Sequence, residues 1–272
     1  MCKVLVFSKN RPMQLHAYLE SLIINCYPPD IMSQQISVLY YNDYPFNYDD
    51  VIKAFPLVNW IHEEDFNSQV RDWIKNCEDP FMMFGCDDVI FIHPFGFGMI
   101  EWMLKNNQDI FGISLRLGKN IKGFPEDAVK YGYCYCWNWQ AFEIDDFHYP
   151  WELDCTIYRT SDIRNMINKY QKPFINPNYF EEFVVFDWDY YIKRPKLACL
   201  EGYSKAIVLT INRVQNTHPN YYDDNCPNLE ELNDMYQQGY RIEYHHLPEN
   251  DVIHVGSDYL KFYWGKRINE KK

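Results

Sequence analysis

The chain has 272 residues, 47% hydrophobic and 18% aromatic, with a formal net charge of −12. That composition supplies a sizeable core and excludes a disordered chain. The acidic balance excludes a general nucleic-acid binder, which needs a basic face, and argues against adhesion to an anionic membrane by bulk charge.

No apolar run reaches the length of a membrane-spanning helix, and no apolar signal segment opens the chain. The nine cysteines are an odd number, scattered mostly through apolar runs, which is the usage of reduced, buried thiols. A soluble, cytoplasmic protein is expected.

Residues 3–7 predict a short strand and residues 8–12 a polar turn. The spacing of Leu15, Tyr18, Leu19, Leu22 and Ile23 predicts a helix over 13–26, with Pro12 suited to its first turn. A second strand is predicted at 36–41, a weaker helix at 48–54, a third strand at 58–61 and a helix at 68–77. Residues 81–92 follow, two apolar runs flanking Asp87-Asp88, and read as one central strand. A helix is expected over 97–105.

Beyond it the pattern is less regular. A strand at 110–116 precedes a polar loop to residue 129 and an extended aromatic stretch at 131–142 that contains Trp137 and Trp139. A strand at 156–159 leads into a helix to residue 170 with Ser161 or Asp162 as its cap. A strand at 205–211 opens into a polar loop, and a helix at 229–238 stops at Gly239, as helices do at glycine. Strands alternating with helices predict an α/β fold with a mostly parallel sheet, helices on both faces and right-handed crossovers. Without repeats or a low-complexity linker, residues 1–272 read as a single domain.

Burying an unpaired carboxylate costs several kcal/mol, so a strand ending in Asp87-Asp88 delivers its charges to water, a cation or a ligand. Ligands of open α/β sheets bind beyond the carboxyl ends of the strands, which makes the pair a candidate divalent-metal site at the edge of a crevice. The competing reading is a turn closing a hairpin.

Several stretches in order resemble bacterial and viral glycosyltransferases of the nucleotide-diphospho-sugar (GT-A) fold. The chain reads VFSKNRPMQL from Val6 to Leu15, similar to the FSKDRPMQL opening of that group. It reads GISLRLGKNI from Gly112 to Ile121, similar to their SLRLG block, and NRVQ from Asn212 to Gln215. Residues 36–41, 84–91, 149–159 and 232–239 also match, so the resemblance runs from near residue 3 to near residue 264. Two positions depart from it: Asn10 replaces an Asp, and Cys86 stands where many GT-A enzymes place the first carboxylate of Asp-X-Asp.

The resemblance implies a metal-dependent enzyme of polysaccharide biosynthesis that moves a sugar from a UDP- or GDP-sugar to a glycan acceptor. Its nucleotide-binding half would span about 1–118 and its acceptor-binding half about 119–272. Asp88 would hold Mn2+ or Mg2+, cations suited to carboxylate and water ligands. His218 would complete the shell, and Asp87 would support the ribose or the metal's waters.

Ser8, Lys9 and Arg11 would meet the nucleotide, Tyr41 the base or ribose, and Arg71 and Arg116 the diphosphate, with an ion pair as the other reading of Arg116. For transfer with inversion, Asp154 is the base that takes the acceptor's proton and Glu152 the reserve. Trp137, Trp139, Trp151 and Tyr149 would form a stacking platform for acceptor sugars, with ordinary core as the other reading for half of the four. A zinc site at His245, His246 and His254 is not expected without CxxC pairs. The rivals are a sugar-phosphate nucleotidyltransferase, which wants glycines in the first loop, and a glycan-binding relative without catalysis.

Overall fold

The computed structural model describes residues 1–28, 34–141, 146–185, 193–215, 225–249 and 252–265, with the backbone alone at 183–185. β1 (Cys2–Lys9) turns into α1 (Pro12–Asn25), and β2 (Cys26–Tyr27) follows. β3 (Ile36–Tyr41), α2 (Asp49–Ala54), β4 (Asn59–His62), α3 (Phe66–Asn76) and β5 (Phe81–Cys86) continue the alternation that the periodicity predicts. Pro12 opens α1 where its missing N–H is no loss, and the Asp65 side chain caps α3 by accepting from the Ser68 amide.

The stretch at 81–92 is not one strand. β5 ends at Cys86, Asp87-Asp88 forms a turn, and β6 (Val89–Phe91) leaves for a second sheet. The Asp87 amide still donates to Phe7, and then the Asp88 carbonyl accepts from Leu209, so the backbone changes partners at the acidic pair. β7 (Phe95–Gly96), α4 (Phe97–Asn106) and β8 (Ile110–Ser114) come next. The aromatic stretch folds as β9 (Val129–Tyr131), β10 (Cys134–Asn138) and a short 3-10 turn at Trp139–Ala141, an edge hairpin rather than one extended segment.

β11 (Thr156–Arg159), α5 (Thr160–Lys169), α6 (Pro177–Val185), β12 (Lys196–Leu200), β13 (Ala206–Leu209) and α7 (Leu229–Gln237) follow. β14 (Tyr240–Glu243), β15 (His254–Val255) and β16 (Lys261–Trp264) complete the described elements.

The main sheet has nine strands in the order β4-β3-β1-β5-β11-β8-β12-β10-β9. Of these, β10 and β11 run against the rest. This is the expected α/β class with a mostly parallel central sheet. β1 is buried on both faces and shows why: Val4 and Val6 pack with Leu15 and Leu19 of α1, while Leu5 and Phe7 pack with Phe66 and Val70 of α3. α4 and α7 share the first face, and α5 and α6 the second. Buried on both sides, such strands read as continuous apolar runs.

The antiparallel insertion of β11 positions the site. β11 lies between β5 and β8, with Ile157 opposite Met83 and Thr156 opposite Ser114. Because it runs downward, its start lies at the edge where β5 and β8 end. The loop before it, residues 149–155, is thereby delivered beside Asp88, and the Cys155 amide donates to Phe84 of β5 at 3.0 Å.

Close packing at this edge requires glycine. A Cβ on Gly85 would lie 2.1 Å from the Tyr18 hydroxyl oxygen. Gly85→Ala is expected to cost about 1–3 kcal/mol by overpacking. A urea titration reads the loss, and adding Tyr18→Phe should recover part of it; an unchanged midpoint in the single variant would refute the packing argument.

Candidate active site

The acidic pair divides into a buried member and a presented one. Asp87 is 3% exposed and accepts three hydrogen bonds. Its Oδ2 takes the Ser8 hydroxyl at 2.8 Å and the Lys9 amide at 3.2 Å, and its Oδ1 takes Arg11 Nη1 at 3.0 Å. Burial pushes its carboxyl up to about 6, even though Arg11 pulls the other way. Asp88 shares Arg11 Nη1 through Oδ2 at 2.9 Å, and its Oδ1 takes no hydrogen bond among the described residues.

Arg11 closes this frame over a long sequence distance. Its Nε donates to the Asn212 side-chain oxygen at 2.8 Å and its Nη2 to the Asn212 carbonyl. The Tyr48 hydroxyl bonds Ser8 Oγ at 2.7 Å and accepts from the Arg11 amide at 3.1 Å. Ser8, Arg11 and Asp87 are thereby tied into one hydrogen-bonded frame at the floor of the crevice. A guanidinium shared by two carboxylates also keeps its charge firmly, since both partners favour the ionised form.

Lys9 and Tyr41 remain accessible on the β1–β3 side, with Lys9 Nζ 5.2 Å from the Tyr41 ring centre. Asn10 has φ 56°, a left-handed conformation that Asn tolerates better than most residues. Its side-chain amide donates to the Asp43 carboxylate and accepts from the Asp43 backbone amide, and the Tyr41 hydroxyl also donates to that carboxylate. These bonds hold Asp43 below the ordinary carboxylate range, the Asn10 bond foremost. Tyr40 stacks on Tyr48 at 4.9 Å and meets His62 edge-on, which gives this end of the crevice an aromatic wall.

The second acidic group stands across β5. Arg116, just after β8, donates through Nε at 2.8 Å and Nη2 at 2.6 Å to Glu152 Oε2, and through Nη1 at 2.6 Å to Asp146. Glu152 is 4% exposed and also accepts from Ser114 Oγ at 3.3 Å and from the Thr156 hydroxyl. Arg116 is thus held in ion pairs with Glu152 and Asp146.

Asp154, two residues on, is half-buried. Burial raises its proton affinity well above the carboxylate norm; Arg116 opposes this, and Asp88, Glu152 and Glu181 add to it. The next residue, Cys155, has φ 72°, an unusual backbone for a residue with a side chain and the kind of strain that collects at functional sites.

Arg71 bonds the carbonyls of Ile167 at 2.9 Å, Tyr170 at 2.8 Å and Lys172 at 3.1 Å, and lies 4.9 Å from the Phe174 ring centre. Its guanidinium caps the end of α5, where unsatisfied carbonyls attract a cation. Trp137, Trp139 and Trp151 are buried and pack in the core, so they form no platform for sugars, whereas Tyr149 is half-buried at the crevice. His218 lies outside the described residues.

Sequence reasoning gave no role at this site to Glu181, Asp146, Tyr48 or His254, the last considered only in the zinc cluster that it rejected. His254, exposed on β15, lies in the electrostatic field of Arg116, Asp146 and Asp88. Only fold-level pairing, β15 alongside β13, brings it there.

The donor set bears on the implied cation. Mg2+ and Mn2+ sites at phosphates need one or two carboxylates, with waters and phosphate oxygens completing the shell. Asp88 Oδ1 meets that requirement. Asp87 already accepts three hydrogen bonds, and the Cys86 sulfur is a soft donor that a hard cation does not prefer. Among the described residues no three His, Cys, Asp or Glu side chains gather to hold a metal alone. The residues fit a cation that arrives with a phosphate ligand, not a closed structural site.

No family model matches the chain. Over 305 aligned residues it is 27% identical to the bifunctional glycosyltransferase pgtA of Dictyostelium discoideum, with 95% of this chain covered. The chain spans 39% of the length of that relative. Among solved structures, S. aureus TarS 1–349 in complex with UDP-GlcNAc aligns with 75% of this chain and 57% of its own, at 14% identity and a TM-score of 0.46. The mannosyltransferase PcManGT from Pyrobaculum calidifontis, in complex with GDP-Man and Mn2+, aligns with 74% of this chain and 54% of its own, at 8% identity and a TM-score of 0.41.

Proposed function

We propose that the chain is a GT-A-type glycosyltransferase that moves a sugar from a UDP- or GDP-sugar to a glycan acceptor with inversion. One observation carries this reading: the order of groups along the carboxyl edge of adjacent strands. Tyr41 ends β3 and Asp43 follows it, Lys9 ends β1 and Arg11 follows it, Asp88 follows β5, and Asp154 precedes β11. A nucleotide lying along that edge would place its base beside Tyr41, its diphosphate near Lys9 and Asp88, and its sugar between Asp88 and Asp154. The near full-length similarity of this chain to part of a curated glycosyltransferase supports the same reading.

In the proposed reaction the acceptor oxygen attacks the anomeric carbon as the bond to the diphosphate oxygen breaks. The acceptor's proton passes to Asp154, which lies across β5 from the leaving group, as inversion requires. A Mn2+ or Mg2+ ion held by Asp88 would neutralise the departing diphosphate. Arg11 fixes Asp88 from below, and Arg116 favours the ionised form of Asp154.

We place the reaction in the cytoplasm. The nine cysteines are free in the structure, as in a reducing compartment, and no helix among the described residues is long and apolar enough to cross a membrane.

The test is a thermal-shift screen of UDP, GDP, UDP-GlcNAc and GDP-mannose, each with and without Mn2+, followed by donor turnover. A ligand at 100 times its Kd adds about 2.7 kcal/mol to apparent stability. One nucleotide series should raise Tm more with Mn2+ than without it, and its sugar form should be consumed. Equal melting temperatures throughout would remove the nucleotide site.

A further inference from the structure

The turn after β3 holds one carboxylate in a fully determined place. The Asp43 amide donates to Asn10 Oδ1 at 2.8 Å, and its carbonyl accepts from the Phe46 amide at 2.9 Å. Its Oδ2 accepts from Asn10 Nδ2 at 3.1 Å and its Oδ1 from the Tyr41 hydroxyl at 3.1 Å. Asn10 is 8% exposed and is anchored in turn, since its own amide donates to the Tyr41 carbonyl at 3.1 Å. The next residue, Arg11, bonds Asp88 at 2.9 Å, so the held carboxylate and the acidic turn are joined through one short loop.

An ionised carboxylate has about four lone-pair sites over its two oxygens. Asn10 and Tyr41 take one on each oxygen. Asp43 is nonetheless exposed, so each oxygen keeps an acceptor site open at the Tyr41 end of the crevice. The amide at position 10 makes this possible. An Asp there, as in the group the chain resembles, would set one carboxylate against another and repel Asp43 where Asn10 holds it.

We propose that Asp43, positioned by Asn10, determines the base of the donor and selects a guanine nucleotide. That a nucleotide lies along this edge is taken from the transferase reading above; the identity of its base is added here by chemistry. Among the common bases, guanine alone presents a ring N–H and an amino group side by side as donors. Two parallel carboxylate oxygens match them as they match a guanidinium fork. Uracil presents one N–H between two carbonyl oxygens, so a carboxylate that reaches it also meets an oxygen that repels it. Adenine and cytosine set an amino group beside a ring nitrogen that is itself an acceptor. A site that reads a base edge by hydrogen bonds discriminates through the partner left unpaired.

The experiment is calorimetric titration of the full chain with GDP, inosine diphosphate, UDP and ADP, each with Mn2+. Inosine diphosphate lacks only the amino group of guanine, so it reads one of the two bonds. GDP should bind tightest, and inosine diphosphate about tenfold more weakly, the scale of one charge-assisted hydrogen bond at an exposed site. UDP and ADP should be weaker still. Asp43→Asn replaces one acceptor by a donor, so GDP should weaken about tenfold, its advantage over inosine diphosphate should vanish and UDP should gain. Asn10→Asp should abolish the same advantage with Asp43 in place. Inorganic pyrophosphate with Mn2+ does not extend to Asp43, and its affinity should be unchanged in Asp43→Asn.

UDP binding as tightly as GDP, or inosine diphosphate as tightly as GDP, overturns the guanine assignment and leaves the nucleotide site standing. A GDP advantage retained in Asp43→Asn overturns Asp43 as its reader. Loss of pyrophosphate binding in that variant gives Asp43 a role in the fold instead, and overturns it as well. If neither pyrophosphate nor any of the four nucleotides binds the wild type, the transferase reading itself falls and the base assignment with it.

Discussion

Asp88→Asn is expected to fold normally and to lose about 10³-fold in donor turnover, the scale on which removing one charge-stabilising group from an active site acts. Arg11 keeps Asp87 and Asn212 as partners in this variant, so the floor of the crevice survives. Mn2+ binding in the presence of UDP or GDP, followed by electron paramagnetic resonance, should weaken in parallel.

The neighbouring carboxylate gives the contrast. Asp87→Ala leaves the Ser8 hydroxyl, the Lys9 amide and half of the Arg11 charge without their acceptor, so its loss should appear first in urea unfolding. If Asp88→Asn turned over donor at the wild-type rate, the division of labour within the pair would be wrong. The cation would then have to sit elsewhere.

That division was only half legible in the sequence. Hydrophobic periodicity located β1, α1 and β3, because each depends on neighbours a few residues apart, but it ran β5 and β6 together as one strand. It also put Asp87-Asp88 at a strand end, and the structure has that end at Cys86. What periodicity cannot encode is which long-range partner a charged group meets. Arg11 and Asn212 are 201 residues apart, and nothing local marks the clamp between them.

Arg71 illustrates the same limit from the other side. Its position on a helix beside the site suggested a phosphate contact, but the end of α5 offers it three carbonyls first. The tryptophans were ambiguous because an aromatic stretch reads alike in a core and on a sugar platform. β11 was foreseen as a strand, but not its direction or its place between β5 and β8, and that placement brings Asp154 to Asp88. Nothing in the sequence tied Glu181 to this site, since its place comes from Phe180 setting the rotation of α6.

Arg116→Met should be the most destabilising single change near the crevice, at about 3–5 kcal/mol, because it strands Glu152 as a buried charge without its cation. Two of the three guanidinium bonds go to that carboxylate, and the Glu152 side chain is 5% exposed. At this chain length the loss corresponds to roughly 10 °C in Tm. Arg116→Met with Glu152→Met should recover most of it, since an apolar pair of similar volume carries no desolvation cost.

Activity should not follow stability back. Arg116 is also the positive charge that favours ionised Asp154, and methionine cannot supply it. The double variant is therefore expected to melt near the wild type while transferring sugar slowly, with its acid limb displaced to higher pH by the lost cation and partly restored by the lost Glu152 charge. Calorimetry and a pH–rate profile on the same preparation separate the two effects. Full recovery of both would mean that Arg116 serves the fold alone and that the proton affinity of Asp154 is set by the other carboxylates around it.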